Sequence, residues 1–318
     1  MYFDLHGDEL WAYRSEQQPP EDFERFWDET LAESRTFEVQ TTVVRVDSPL
    51  RTLDVYDVRF PGYLGQPIAA WLRVPAGSSS PLPTVVEFVG YGGGRGLAED
   101  AIYWPSCGFA HFHVDTRGQG STWSLGATPD DAPSGPHVPG MMTVGIEDPS
   151  TYYYRRLITD CVRAVDAAAT LEVVDAGRIA TLGTSQGGGL SLAVGGLSPA
   201  VRQVVAYVPF LCDFPRAVTI TDSDPYREIT RYLAVRRRDK AAVLRTLSYF
   251  DGVNFARLAS VPAFFTTSLM DQICPPSTVM GAYQAYAGPK EIRIWEHNGH
   301  EGGARMDDIE VAELLREL

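Results

Sequence analysis

From residue 84 onward, short apolar runs alternate with helical stretches, and this alternation limits the possible folds more than any other feature of the sequence. Runs rich in β-branched and aromatic residues predict buried strands at residues 84–89, 109–114, 179–182, 203–208, 263–267 and 292–295. Between them, residues 152–171 and 186–196 predict helices. We therefore expect an α/β fold with a mostly parallel sheet covered on both faces, in which sites collect at the carboxyl ends of strands.

Two regions depart from this alternation. Residues 1–83 predict an N-terminal extension, with an amphipathic helix after Pro19 and Pro20 and three antiparallel strands at residues 39–46, 54–60 and 68–74. Residues from about 209 to 258 predict an inserted segment of polar helices that forms a cap or an interaction surface. We expect all 318 residues to form a single domain.

Composition excludes several function classes. The chain has 27 Lys and Arg against 41 Asp and Glu, a net charge of −14, which excludes a general nucleic-acid binder. No run of about 18 apolar residues is present to cross a membrane, and residues 1–5 lack the features of a secretory signal. We expect a cytoplasmic protein, unless a leader was removed. The four cysteines lack the spacing of a zinc or redox site, and we expect them to be reduced packing residues.

A glycine-rich stretch at residues 90–96 follows a predicted strand and superficially matches a dinucleotide-binding fingerprint. In that register Arg95 occupies the position of the third glycine, which normally lets the helix and strand pack closely. The residues that follow do not predict an apolar helix. The stretch therefore argues against nicotinamide binding, and we expect no organic cofactor and no metal.

The most specific motif is Gly183-Thr184-Ser185-Gln186-Gly187, which lies between a predicted strand and a predicted helix. This context is that of a nucleophile elbow in an α/β-hydrolase fold. The serine occupies a strained turn there, and the glycines two residues to either side avoid steric collision. Ser185 is thus predicted to be a catalytic nucleophile.

A serine hydroxyl needs a base, and in this fold an acid and a histidine follow the serine along the chain. Asp271 follows the strand predicted at residues 263–267, and His300 follows the strand predicted at residues 292–295. His297 is the competing candidate for the base, because it lies nearer the end of that strand. A tetrahedral intermediate also needs two N–H donors for its oxyanion. In this fold Gln186 supplies one, and the loop that begins at Tyr91 is well placed for the second.

Three motifs together resemble the acetyl xylan esterase and cephalosporin-C deacetylase family, which is carbohydrate esterase family seven. They are Arg117-Gly118-Gln119, Gly183-Thr184-Ser185-Gln186-Gly187-Gly188 and His300-Glu301. Residues 20–27, 91–96, 115–123, 152–156 and 271–278 add to the resemblance, which spans nearly the whole chain.

The resemblance implies a triad of Ser185, Asp271 and His300, and an oxyanion hole made by the backbone N–H groups of Tyr91 and Gln186. It also implies that Arg117, Gly118 and Gln119 stabilise the region around the active site. Glu301 belongs to the motif beside the histidine. Family members form doughnut-shaped hexamers whose active sites face an internal cavity that favours small acetylated substrates.

The expected reaction is hydrolysis of small acetyl esters, such as acetylated xylo-oligosaccharides and cephalosporin C, through an acyl-enzyme. Because the histidine must be neutral to act as the base, activity is expected to fall below about pH 6. Two alternatives stay open. One is a peptidase of the same fold, although residues 1–83 are too few for the propeller such peptidases often carry. The other is a catalytically inactive hydrolase fold that serves as a binding protein.

Overall fold

A nine-stranded mixed sheet organises the chain, with the strand order β1-β2-β3-β5-β4-β6-β7-β8-β9. The computed structural model describes residues 1–132 and 135–318. The strands are Thr42–Arg45 (β1), Leu53–Pro61 (β2), Pro67–Pro75 (β3), Leu82–Phe88 (β4), Ala110–Val114 (β5), Val174–Thr184 (β6), Val201–Tyr207 (β7), Ala263–Ser268 (β8) and Lys290–Trp295 (β9). The first three strands are antiparallel to one another, and β3 is antiparallel to β5. All pairs from β5 to β9 are parallel, which confirms the predicted mostly parallel sheet.

Helices flank this sheet. They are Gly7–Ala12 (α1), Phe23–Arg35 (α2), Tyr103–Ser106 (α3), Tyr153–Ala168 (α4), Gln186–Leu197 (α5), Phe214–Ile220 (α6), Tyr226–Val235 (α7), Lys240–Ser248 (α8), Gly252–Leu258 (α9), Pro276–Ala285 (α10) and Arg305–Leu315 (α11). A short 3₁₀ turn lies at Tyr63–Gly65. In the part of the chain that the structure describes, no helix combines the length and the apolar composition needed to span a bilayer.

The N-terminal helix α2 packs against the inserted segment, which contains α6 to α9. Its Trp27 is 1% exposed and contacts the rings of Phe250 and Phe255 edge-on. The indole N–H of Trp27 donates to the backbone oxygen of Tyr249 at 2.9 Å. The apolar face predicted for this helix thus finds its partner surface more than 200 residues along the chain.

Two predicted strand boundaries were wrong. The predicted first strand at residues 39–46 is reduced to β1, whose four residues are all exposed at the edge of the sheet. The strand predicted at residues 179–182 begins earlier, at Val174, because the partly or fully exposed residues 175–178, Asp-Ala-Gly-Arg, also belong to the strand. The register between β4 and β6 shifts over this stretch. Apolar periodicity identifies the buried part of a strand and misses such an exposed beginning.

Candidate active site

Ser185 lies at the sharp turn between β6 and α5. Its backbone has φ 59° and ψ −118°, a strained conformation for a residue with a side chain, of a kind that costs about 1–3 kcal/mol. The elbow leaves no room at its glycines. A Cβ atom on Gly187 would collide with the backbone oxygen of Phe88, and one on Gly183 would collide with the backbone of Gly187. The motif therefore consists of the residue types that this turn requires.

Asp271 and His300 come together at the ends of β8 and β9. The Nδ1 atom of His300 lies 2.8 Å from Oδ2 of Asp271. The other carboxylate oxygen of Asp271 accepts the backbone N–H groups of Ile273 at 2.8 Å and Cys274 at 3.0 Å. Because Asp271 is fully buried, these bonds fix the carboxylate, and the carboxylate orients the imidazole.

Ser185 and His300 both line one cavity. Within the described residues, no hydrogen bond joins the Ser185 hydroxyl to the imidazole, a contact that is often long before substrate binds. His297, the competing candidate, has a side chain that is 78% exposed and lies near Glu296. The structure therefore brings Ser185, Asp271 and His300 together and leaves His297 in solvent.

Glu301 shapes the loop that carries His300. Its carboxylate accepts the backbone N–H of Gly299 at 3.1 Å and the side-chain amide of Asn298 at 3.1 Å. Hydrogen bonds from its own backbone N–H and from that of Gly299 lower the pKa of Glu301 below its ordinary value. The side chain is exposed, and it contacts the loop rather than the cavity.

Two backbone N–H groups near Ser185 are free to bind an anion. Across residues 1–132 and 135–318, neither the N–H of Tyr91 nor that of Gln186 donates a hydrogen bond. Gln186 is the first residue of α5, where the helix dipole favours negative charge. Tyr91 follows Gly90 in the loop after β4 and lines the cavity. The structure thus places both residues predicted for an oxyanion hole beside the elbow.

Gln119 links these two donor positions. Its Oε1 accepts the backbone N–H of Gly92 at 2.6 Å, and its Nε2 donates to Gln186 Oε1 at 3.1 Å. Gln186 Nε2 in turn donates to the backbone oxygen of Val89 at 3.1 Å. One side-chain amide therefore connects the loop after β4 to the elbow.

Arg117 makes a buried ion-pair network behind Gln119. Its guanidinium donates to both oxygens of Asp160, to Asp130 at 3.2 Å and to Gln66. Burial alone would lower the pKa of Arg117, but the adjacent Asp160 carboxylate raises it well above its ordinary value, so the group stays charged. Gly118 has φ +67°, which an L side chain rarely adopts. Within the described residues Arg117 does not line the cavity, and its hydrogen bonds join Gln66 and Asp130 to Asp160 of α4.

The glycine-rich stretch at residues 90–96 packs tightly against the loop after Gln119. A side chain on Gly94 would collide with Gly126, and one on Gly93 would collide with the ring of Trp123. Trp123 Nε1 also donates to the backbone oxygen of Tyr91 at 2.8 Å. No helix follows the stretch directly in the described chain, because residues 97–102 form turns and irregular backbone. The glycines serve close packing between two loops.

The cavity above Ser185 measures about 680 Å³. It is lined by apolar residues that include Trp123, Pro225 and Ile273, and by polar residues that include Ser185 and His300. Apolar walls with a few convergent polar groups are typical of sites for small molecules.

One group in the described residues has the composition of a metal site. Asp271, Cys274 and His300 each offer a ligand atom within 4.8 Å of the others. Asp271 and His300 already bind each other, and burial raises the pKa of the Cys274 thiol, which disfavours the thiolate that metals require. These three residues therefore fit a hydrogen-bonded pair of Asp271 and His300 beside a neutral thiol better than they fit a metal centre.

The sequence did not identify two buried acidic residues that matter here. Asp160 lies within α4 and Glu228 within α7, and each holds a loop of the site through contacts far apart along the chain. A charged residue in an amphipathic helix normally predicts a solvated face. The sequence signal for Asp160 is that it lies between the apolar pairs Leu157-Ile158 and Cys161-Val162 of a long helix.

Comparison with known proteins supports the assignment. The family described as acetyl xylan esterase (AXE1) matches residues 1–318. An acetyl xylan esterase structure from Paenibacillus sp. R4 is 39% identical, with a TM-score of 0.93 over 98% of this chain and 99% of that chain. Acetyl xylan esterase 1 from Thermoanaerobacterium sp. is 30% identical, with a TM-score of 0.90 over 99% of both chains.

A curated relative, the acetyl esterase Axe7A of Xylanibacter ruminicola, is 28% identical over 284 residues, which cover 88% of this chain. The match spans 63% of the length of that relative. Peptidases also match at 15–17% identity, which shows the shared fold alone. The predicted α/β-hydrolase fold and the predicted family are both confirmed. The chain belongs to the acetyl xylan esterase family, a family of carboxylic ester hydrolases.

Proposed function

We propose that this protein is a serine esterase that removes acetyl groups from small substrates through an acyl-enzyme. The observation that supports this most strongly is the His300–Asp271 pair at 2.8 Å, whose histidine lines the same cavity as a serine held in a strained elbow. Ser185 is the proposed nucleophile, His300 the base, and Asp271 the group that holds the imidazole tautomer and stabilises its charged form.

In the first step, His300 accepts the proton of Ser185 while the serine oxygen bonds to the acetyl carbonyl carbon. The oxyanion that forms accepts hydrogen bonds from the N–H groups of Tyr91 and Gln186. His300 then donates its proton to the leaving alcohol. Water, deprotonated by His300, attacks the acyl-enzyme in the same way and releases acetate and the free serine. The buried thiol of Cys274, whose pKa is raised by burial, does not compete as a nucleophile.

The cavity supports a small acyl group. Trp123, Pro225 and Ile273 form an apolar wall near Ser185, and the enclosed volume is about 680 Å³ in total. We propose acetylated xylo-oligosaccharides as substrates, because relatives of this chain carry the names acetyl xylan esterase and acetyl esterase. We propose cephalosporin C as a further substrate on the sequence resemblance to the esterase and deacetylase family. Both are small esters of acetic acid, and each would place its alcohol part toward the cavity mouth.

The test is an acyl-length series of p-nitrophenyl esters, from acetate to octanoate, run beside acetylated xylobiose, cephalosporin C and an acetyl p-nitroanilide. We expect kcat/KM to be highest for acetate and to fall steadily with chain length. A p-nitroanilide that is cleaved as fast as the acetate ester would indicate a peptidase. A folded protein that cleaves none of these substrates would indicate the inactive binding protein.

We also propose a homo-oligomer, a hexamer by resemblance to the family, in a cytoplasmic setting. The cytoplasmic location is supported by the four cysteines of the described chain, which are free thiols, three of them buried. Size-exclusion chromatography with light scattering should give six times the chain mass of 35.0 kDa. A monomeric mass at micromolar concentration would refute the oligomer without affecting the proposed chemistry.

A further inference from the structure

Glu228 is a buried carboxylate in α7, within the inserted segment. Its side chain accepts the hydroxyl of Tyr91 at 2.7 Å and the backbone N–H of Met142 at 3.0 Å. The residue is 4% exposed. In the described chain no Lys, Arg or His nitrogen lies within 4.0 Å of this carboxylate.

A carboxylate without a cationic partner is costly to bury, so its position needs a compensating role. Burial raises the pKa of Glu228 above its ordinary value, which is the expected sign for such a group. The surrounding loop is built around the carboxylate. Gly140 has φ +111°, and a side chain there would collide with the carboxylate oxygens.

The partner of Glu228 is Tyr91, which lines the cavity and whose backbone N–H makes no hydrogen bond among the described residues. The Tyr91 hydroxyl donates to Glu228 and accepts the backbone N–H of Met141 at 2.5 Å. At its other end, the backbone oxygen of Tyr91 accepts the Trp123 indole N–H. The tyrosine is therefore held at both ends, and its own N–H stays unpaired among the described residues.

The inserted segment also reaches the cavity directly. Asp224 and Pro225, just before α7, line the cavity together with Tyr91 and Ser185. Glu228 follows one turn later and faces the far end of the tyrosine ring. The start of α7 thus contacts both the cavity wall and the residue behind it.

We propose that Glu228 is a positioning residue for the reaction, which holds the ring of Tyr91 so that the Tyr91 N–H points at the developing oxyanion. The inference rests on the proposed function. It gives the inserted segment a part in catalysis, since its α7 supplies the carboxylate. Glu228 touches no reacting atom and acts only through Tyr91.

The test compares Glu228→Gln, Tyr91→Phe and the double variant in the full chain, with Ile229→Val as the control. Ile229 is buried in the same helix, so its variant reports what a packing defect in α7 does alone. Steady-state kinetics with p-nitrophenyl acetate separate kcat from KM, and circular dichroism melting measures stability. Ser185→Ala is assayed in parallel.

We expect Glu228→Gln and Tyr91→Phe each to lower kcat by roughly tenfold or more, because small displacements of a catalytic group have effects of this size. KM should change less than about threefold, since the oxyanion bond forms in the transition state. The double variant should lose no more than the single ones. A glutamine has one acceptor oxygen for two donors, the Tyr91 hydroxyl and the Met142 N–H, so Glu228→Gln disturbs the hydrogen bond that Tyr91→Phe removes. Ile229→Val should keep kcat within about twofold.

A Glu228→Gln variant with the kcat of the wild type, while Ser185→Ala is inactive, would overturn this inference and leave the proposed esterase intact. A double variant whose loss is the product of the two single losses would also overturn it. If Ser185→Ala kept its activity, the proposed function would fall and this inference with it. Should Glu228→Gln fail to fold, Tyr91→Phe at wild-type kcat would be the contradicting result.

Discussion

The loop that carries Gln119 and the loop that carries His300 meet at one cavity, but they are held in different ways. Behind Gln119 lie Arg117, which is 0% exposed, the fully buried carboxylate of Asp160 and the half-buried carboxylate of Asp130. The His300 loop instead begins and ends with exposed residues, and the imidazole has an exposed fraction of 26%. Among the described residues, the imidazole itself makes a single hydrogen bond, to Asp271.

This difference matches what each side must do. N–H donors for an oxyanion are most effective when they are already fixed before charge develops, so the loops that present them need a rigid, buried network. A base that accepts a proton from serine and returns it to an alcohol needs access to solvent and substrate. We therefore expect changes on the buried side to affect folding as well as rate, and changes on the exposed side to affect rate alone.

Ser185→Ala should give the largest effect on turnover. Removal of the nucleophile leaves only binding and the oxyanion donors, and serine hydrolases then lose on the order of 10⁶ in kcat. Hydrolysis of p-nitrophenyl acetate measures this loss. The melting temperature should not fall, because the strained backbone at residue 185 is no worse for alanine. A variant with a tenth of the wild-type rate would rule out Ser185 as the nucleophile.

Asp271→Asn should come next, at roughly 10⁴ in kcat, because an amide in this position favours the wrong imidazole tautomer. The geometry of the loop should survive, since the amide oxygen can still accept the N–H groups of Ile273 and Cys274. The same ester assay, with a melting curve as the control, checks both statements. A kcat within tenfold of the wild type would show that the carboxylate does not orient His300.

Arg117→Ala tests the buried side. The substitution leaves the fully buried carboxylate of Asp160 without its cationic partner. Breaking a buried ion pair in this way lowers the free energy of unfolding by about 3–5 kcal/mol. Arg35→Ala is the matched control, because Arg35 pairs with Asp166 at the surface and should cost less than about 1 kcal/mol. Urea unfolding measures both variants. Equal losses would contradict the distinction between buried and exposed networks.

A pH-dependent loss of stability should also come from the buried side. His113 lines the cavity beside Glu87 and stacks on His111, and burial lowers the pKa of His113 to about 3. The unfolded chain, in which histidine has a pKa of about 6.5, then binds more protons than the folded chain. Stability is therefore fully present above about pH 6.5 and is lost as the pH falls toward about 3.

Urea unfolding at pH 7, 6 and 5 should show this as a slope in the free energy of unfolding of at most about 1.4 kcal/mol per pH unit from His113. His113→Gln should be less stable at pH 7, and its stability should fall less steeply with decreasing pH. Burial lowers the pKa of His111 as well, so some slope remains. Parallel slopes for the two proteins would contradict the assignment.

Glu301→Ala should have the smallest effect. The side chain is exposed and holds only the N–H of Gly299 and the amide of Asn298. Stability should change by about 0.5 kcal/mol, as is usual at the surface, and kcat by roughly twofold to fivefold, through a less ordered His300 loop. Glu301→Gln, which can still accept the N–H of Gly299, should recover most of the rate. A loss of 10³ or more would place Glu301 in the chemistry.

Features that depend on local sequence could be predicted, whereas contacts between distant residues could not. The strand alternation predicted the parallel sheet, because buried strands must be apolar on both faces. The elbow at Ser185 could be predicted because its turn geometry admits few residue types. Local rules of this kind do not reach Glu228, which meets Tyr91 across 137 positions of the chain. They also do not reveal Asp160, because a buried carboxylate in a helix has the same pattern as one in solvent.

In the candidate site, too, some features could be predicted from local sequence, while others depend on contacts between distant residues. The order of Ser185, Asp271 and His300 is a property of the fold and could be anticipated from strand ends. The choice of His300 over His297 could not be derived from spacing alone, since both follow β9. The choice depends on which imidazole the folded chain turns toward Asp271. Only the tertiary structure shows that this is His300 and that His297 is exposed to solvent.

The central claim is that Ser185 is a nucleophile activated by His300, and covalent labelling tests it most directly. Wild-type protein and His300→Ala should be treated with a fluorophosphonate, and the adduct located by peptide mass spectrometry. The account predicts one adduct, on Ser185, formed rapidly in the wild type and slowed at least about 10³-fold without the histidine. An unlabelled Ser185 in folded protein, or labelling that does not depend on His300, would contradict it.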